Sequence, residues 1–309
     1  MNNTEIYNYI ASISDSACKR MNTFSANILK TRGGRIGSGM GALLEALWGY
    51  MMNQIIAEDQ KADCEIAWFP DNQYNDFSCI KQDKEWNPAN RDGEFFRIEV
   101  KSMNVGADES KAHFCALQKE IEENDVLLIL IWEWKKIDKT HYSPIVIDAF
   151  FDRASAVAKL RDALHLARGG SFVSAESCPD NCDASHCSHI GEPLNENGKR
   201  ERPSGPEATR VSSTVSYAAN FGGLVRMIKT NNDNARNIFR EQRKSNVAAD
   251  HYISFIHRNF LNEEKNHFTI SELRKVAELL GISTKSKTKD QLYEEIHCQN
   301  NYQNYLRQL

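Results

Sequence analysis

No apolar run in the 309-residue chain is long enough to cross a bilayer. The longest, Val126 to Trp132 (VLLILIW), falls far short of the ~20 residues that a spanning helix needs. The first residues, MNNTEIYNYIASISDSACKR, lack a charged start leading into an apolar stretch, so no secretory signal is read. The expectation is a cytoplasmic protein with no membrane partner. Charge of one sign is also lacking: 38 Lys and Arg stand against 42 Asp and Glu, for a net charge of −4 and a pI near 6.2. That excludes a uniformly basic coat protein but not a local basic face. There is no internal repeat and no low-complexity tract. Gly37, Gly39 and Gly41 do not form G-x-G-x-x-G, and no Gly-Lys-Ser/Thr is present, which argues against a dinucleotide or P-loop site. No Ser/His/Asp arrangement can be read.

What is present is ordinary globular material, 41% hydrophobic and 26% charged, long enough for about two domains. Composition divides it into a compact α/β unit at 1–170, a Cys/His-bearing basic loop at 171–210, a basic helical region at 211–265 and a helical hairpin at 266–309. The first segment reads as α/β. An opening helix and a glycine-dense turn lead to ALLEALWGYMMNQIIAE, whose apolar spacing is helical. DCEIAWF, FSCI and FFRIEVKSM read as strands. SKAHFCALQKEIEEN reads as a helix. DVLLILIWEW suits a strand buried on both faces. SPIVIDAFF is a further strand, and DRASAVAKLRDALHLARGG a helix stopped by a glycine pair. Together they predict a mixed central sheet with flanking helices.

The sharpest chemistry lies between Glu45 and Lys101. Side chains alternate along a strand, so Glu99 and Lys101 of IEVK share a face. Asp76 heads FSCI, and pairing of FSCI with FFRIEVK would bring the Asp76 and Glu99 carboxylates together at one sheet end. Two converging carboxylates form a hard oxygen site suited to magnesium. A lysine beside them can position water or steady a phosphate oxygen. The pattern resembles the PD-(D/E)xK nucleases, specifically type II restriction endonucleases. Asn75-Asp76-Phe77-Ser78-Cys79-Ile80 matches the acid before an apolar strand, with Asn where the family often has Pro, and Ile98-Glu99-Val100-Lys101 matches acid-x-Lys. The resemblance implies a restriction-endonuclease-like core over roughly residues 30 to 165. It implies catalytic roles for Asp76, Glu99, Lys101 and Glu45, the last on a helix entered through a glycine-rich turn. It also implies magnesium on Asp76 and Glu99, with Gln118 a lesser candidate. Asp71, preceded by Pro70, is a rival first acid.

Cys178, Cys182 and Cys187 fall within ten residues, followed by His189, with His186 as a spare. Three thiolates and an imidazole are a structural zinc set. Lys199, Arg200 and Arg202 follow in a Gly/Pro/Asn-rich loop, and Arg236, Arg240 and Arg243 share one helical face, so this stretch is basic within an acidic chain. Residues 268–297 resemble the SAP motif, a helix–extension–helix DNA-binding module. The match rests on Leu273, Leu279-Leu280-Gly281-Ile282 and Lys289-Asp290-Gln291-Leu292, with Thr269 or Ser271 as the helix cap. That resemblance implies phosphate contacts from Lys285, Lys287 and Lys289. The expectation is a magnesium-dependent, sequence-specific endonuclease acting on double-stranded DNA as a homodimer, with a structural zinc. The alternatives are a repair or structure-specific nuclease of the same fold, or a non-enzymatic zinc-containing DNA-binding protein.

Overall fold

The chain opens with a helix because Asn2 and Glu5 cap it reciprocally. The Asn2 side chain accepts from the Glu5 amide at 2.9 Å, and the Glu5 carboxylate accepts from the Asn2 amide at 2.8 Å. Helix α1 (Asn3–Ile28) buries Ile6, Ile10, Ile13, Ala17 and Met21, one stripe at helical spacing. Helix α2 (Met40–Asp59) is apolar over most of its circumference and buries Leu44, Leu47, Trp48, Met51, Met52, Ile55 and Ile56. The computed structural model describes residues 1–32, 39–69, 75–106, 112–176, 178, 182–183, 186–198, 221–228, 233–260, 270–285, 287–297 and 299.

Five strands follow: β1 (Cys64–Trp68), β2 (Phe77–Lys81), β3 (Glu94–Asn104), β4 (Val126–Lys136) and β5 (Tyr142–Arg153). They form one mixed sheet in sequence order. β3 and β4 run parallel and every other pair is antiparallel. Phe96, Ile98 and Val100 of β3 and Leu128 and Leu130 of β4 share a core with α1 and α2. Val126 to Trp132 is buried throughout, as its unbroken apolar run predicts. Phe150 of β5 packs instead on Tyr252 and Phe255, and α3 (Ala154–Ala167) buries Val157, Leu160 and Leu164.

One expected element is different. The helix read over SKAHFCALQKEIEEN is, among the described residues, only a 3-10 turn at Gln118–Glu120. Tertiary partners take the backbone groups that a helix would use internally. The Phe114 amide donates to Gly222 O at 2.8 Å, and Ala112 O accepts from Leu224 N at 3.0 Å. The buried Arg161 guanidinium donates to Phe114 O and Ala116 O at 2.9 and 2.8 Å. Gly222, at φ 79°, passes so close that an added Cβ would lie 2.4 Å from Phe114 O.

Beyond α3, a two-stranded ribbon, β6 (Ser171–Phe172) with β7 (Pro193–Leu194), brackets the Cys/His segment. Helices α4 (Asp233–Ser245) and α5 (Val247–Phe260) follow. The chain divides into two compact units, Met1–Phe255 and Ile256–Leu309, so the Cys/His segment belongs to the same unit as the sheet. In the second unit, α6 (Ile270–Leu279) ends at Gly281, whose φ of 71° lets Ile282 N reach back to Ala277 O at 2.7 Å. α7 (Lys289–His297) is capped by Thr288 and Gln291. Leu273, Val276 and Ala277 pack on Leu292 and Ile296. This is the expected helix–extension–helix. Thr269 lies outside the described residues, and Ser271 sits inside α6 rather than at its cap. Among the described residues no helix is long and apolar enough to cross a membrane.

The two outer strands are closed by asparagines. Asn53 of α2 donates to Ile66 O and accepts from Ile66 N, at 2.8 and 2.7 Å. Asn22 of α1 makes the same pair with Val146, both at 2.8 Å. Each amide acts as a one-residue strand and blunts an edge. Asn53→Ala removes two hydrogen bonds from a half-buried backbone. It is expected to cost about 1–3 kcal/mol of unfolding free energy in a urea titration, with Asn53→Asp also destabilised because it cannot donate.

Candidate functional site

The site forms where β2 and β3 part. Phe77↔Ile98 is the last β2–β3 pair, and the Asp76 amide still donates to Ile98 O at 3.1 Å. Beyond that point β3 runs on to Asn104 paired with β4 alone. The Val100 amide therefore has no β2 carbonyl, and the Asp76 carboxylate takes it at 2.7 Å. Just upstream, the buried Asn75 donates its amide to Phe77 O at 2.9 Å and so stiffens the approach to the strand. One strand edge thus fixes Asp76 beside the run that carries Glu99 and Lys101.

Lys101 Nζ donates to Glu99 Oε1 and, at 3.0 Å, to Val100 O. Glu45 arrives from α2. A Cβ at Gly41 would lie 2.5 Å from Ser102 Oγ and 3.9 Å from Glu45 Oε1, so the absence of a side chain there lets the first turn of α2 settle against β3. Glu45, Asp76, Glu99 and Lys101 form one electrostatic cluster. Burial, reinforced by Asp76 and opposed by Lys101, pushes the Glu45 carboxyl up to about 7. Burial also lifts Glu99 to about 7, with Lys101 opposing and Asp76 and Glu45 adding to the rise. Burial pulls the Lys101 ammonium down, but the surrounding carboxylates outweigh it and hold its value above the ordinary lysine range. With all three carboxyls ionised, three negative charges against one ammonium leave two for a divalent cation to cancel. Asp76 and Glu99 each have one oxygen committed within the site, to Val100 N and Lys101 Nζ, which leaves a second oxygen on each for a hard cation.

Gln118 is not part of this cluster. With no helix to carry it toward the acids, its amide donates to Asp162 of α3 at 2.6 Å. Asp71 lies outside the described residues. Sequence reasoning missed Asn75 as a brace and Ser102 as the seat of α2. For Ser102 the signal was available: Gly41 sits one helical turn before Glu45, where close approach demands a glycine.

The second cluster comprises Cys178, Cys182, Cys187 and His189, whose ligand atoms all lie within 4.8 Å of one another. His189 Nδ1 is 3.4, 3.3 and 3.8 Å from the three sulfurs. A tetrahedral zinc with ordinary bond lengths separates sulfur from nitrogen by roughly 3.5 Å, so the set fits such an ion. The neighbouring Cys178 and Cys187 thiols push Cys182 up to about 11, as crowded sulfurs without a cation must. His189, not His186, completes the set; His186 is exposed and faces Asp183 at 3.5 Å. The segment returns to the fold through Lys119, which donates to Ser188 O at 2.7 Å, and through the β6–β7 ribbon.

The predicted DNA contacts are scattered. Arg236 and Arg240 are exposed on α4, where Arg236 pairs with Asp233 at 3.0 Å and Arg240 donates to Asn237 at 3.3 Å. Arg243 pairs with Asp250 at 2.9 Å. In the second unit Lys285 is exposed, Lys289 is half-buried and Lys287 pairs with Glu295. Lys199, Arg200 and Arg202 lie outside the described residues. No family model, curated protein or solved structure matches the chain.

The acid cluster makes stability depend on pH. Glu45 and Glu99 titrate near 7 when folded, against 4.5 ordinarily, so the folded chain binds more protons than the unfolded one. Their stabilising contribution is complete below the unfolded value and is lost as pH rises through the folded one. Without added magnesium, the melting temperature should fall between about pH 5 and about pH 8. The Glu45→Gln/Glu99→Gln double variant should flatten most of that fall in calorimetry. An equal slope in both proteins would place the effect elsewhere.

Proposed function

We propose that the chain is a magnesium-dependent endodeoxyribonuclease with a restriction-endonuclease-like core, cutting double-stranded DNA at a specific sequence as a homodimer. The observation that carries this reading is the strand fork. It gathers Asp76, Glu99, Lys101 and Glu45, four residues from three separate chain segments, in one cluster with more carboxyls than ammonium groups. Asp76 and Glu99 would hold magnesium through their second oxygens. When bound, the ion supplies charge stabilisation to the phosphate and acidifies a coordinated water. Lys101, held by Glu99 and the Val100 carbonyl, has one N–H left with which to orient that water or meet a non-bridging phosphate oxygen. Glu45, raised to about 7, can take up a proton at neutral pH. The Arg236 and Arg240 guanidiniums and the lysines of the second unit would add phosphate contacts, and hence affinity, without base specificity.

Asp76→Ala and Glu99→Ala are expected to abolish cleavage of plasmid DNA while leaving binding in calcium largely intact. Lys101→Ala should lose about 10²- to 10⁴-fold in rate. Full cutting by Glu99→Ala would overturn the assignment. Discrete fragments from a defined plasmid support sequence-specific cutting, whereas nicking confined to distorted DNA supports the structure-specific alternative.

The ion at Cys178, Cys182, Cys187 and His189 is, on the same reading, a structural zinc, since four protein ligands leave no open position. Metal analysis should find about one zinc per chain. Cys182→Ser should lower zinc content and melting temperature together. A zinc-free protein with unchanged melting would refute this.

A further inference from the structure

Among the described residues, Trp68 and Tyr50 carry the exposed aromatic rings, and Trp68 is 60% accessible. A single exposed hydrophobic side chain is unremarkable in itself. The setting of Trp68 is what matters. It ends edge strand β1 and is the register partner of Phe77, the residue directly after Asp76. The next residue, Phe69, donates its amide to Asp76 O at 3.0 Å. The backbone of Trp68 therefore lies next to that of the acid that heads the fork.

The indole is also held from one side. Its ring lies over Phe77 at 5.5 Å between centroids with 13° between planes. Phe77 is buried and cannot recoil. Trp48 packs on it at 6.0 Å, and Gly49 lies so close that a Cβ there would be 2.9 Å from the Phe77 ring. The result is a braced aromatic plate whose register partner directly follows the proposed metal acid. The other exposed ring, Tyr50, is committed through its hydroxyl to Gln54 at 2.8 Å and stands on the helix rather than at the fork.

We infer that Trp68 is a stacking platform for a nucleobase of the DNA flanking the cut phosphate, so that DNA with an unstacked base at that position binds more tightly than the intact duplex. This rests on the nuclease reading for the location of the phosphate. The chemistry follows from the flat apolar face: any base has a π-face, and a base still inside the duplex stack has none to offer.

The test uses the full chain with calcium in place of magnesium, which supports binding without cutting, and two fluorescent probes: an intact duplex, and the same duplex with a short single-stranded gap. Wild type should bind the gapped DNA more tightly. Trp68→Ala should weaken gapped-DNA binding about 5- to 150-fold, the range that loss of one stacked base gives, and should leave intact-duplex binding nearly unchanged. Trp68→Phe should restore most of the difference. The slope of log K against log salt should not move, because no phosphate contact is lost. Equal weakening on both probes, or none on either, overturns the inference. So does a Trp68→Ala protein that changes from dimer to monomer while its gapped-DNA affinity stays as in wild type. A Trp68-dependent preference for gapped DNA in a protein that cuts nothing with magnesium or manganese would sink the nuclease reading and leave the platform standing. Cutting with an indifferent Trp68 would do the reverse.

Discussion

The Asp76 carboxylate on the Val100 amide is the bond on which the acid cluster depends. It exists because β3 outruns β2. A central strand that loses a neighbour must satisfy its amides in some other way, and a carboxylate at the fork is the strongest local acceptor. The same bond fixes Asp76 relative to Glu99 and Lys101, which occupy the two positions flanking Val100. An unpaired backbone group thus becomes the reference point for four side chains. Gly41 extends the constraint to α2, since only a residue without Cβ lets Ser102 and Glu45 share the space.

Much of this was legible in the sequence, and the reasons can be traced residue by residue. The Val126–Trp132 run declared a strand buried on both faces. Phe77–Ile80 and Phe95–Lys101 declared a pair whose antiparallel register carries Asp76 to the end of β2, opposite the start of Glu99-x-Lys101. The Cys/His spacing placed its ligands without any structure, except for the choice between His186 and His189, which depends on the turn that sends His186 outward. What was not legible is long-range. The helix expected over Ser110–Asn124 is absent among the described residues, where Gly222, Leu224 and Arg161, 45 to more than 100 residues away along the chain, take the backbone groups. Local periodicity cannot report a partner at that distance, and an amphipathic pattern with good helix formers loses to buried tertiary hydrogen bonds. The asparagine strand surrogates were hidden for the same reason: Asn22 and Asn53 look like ordinary helix-surface residues until Val146 and Ile66 are placed beside them.

The two candidate metal sites pose a selectivity problem, because both belong to the unit Met1–Phe255 and would compete for the same ions. Ligand chemistry separates them. Three sulfurs and an imidazole nitrogen form a soft tetrahedral set, which magnesium binds poorly because it favours oxygen and resists dehydration. The carboxylates of Asp76 and Glu99 would form a hard oxygen set, where zinc gains little from its preference for thiolate. Protonation sharpens the division. Without a cation the crowded thiols resist ionisation, with Cys182 near 11, so the thiol set is completed only by an ion that binds sulfur strongly enough to displace protons. Glu45 and Glu99, near 7, need only a modest rise in pH or a weakly held divalent ion to ionise. A tightly held ion on sulfur and an exchangeable one on oxygen are therefore chemically compatible within a single unit.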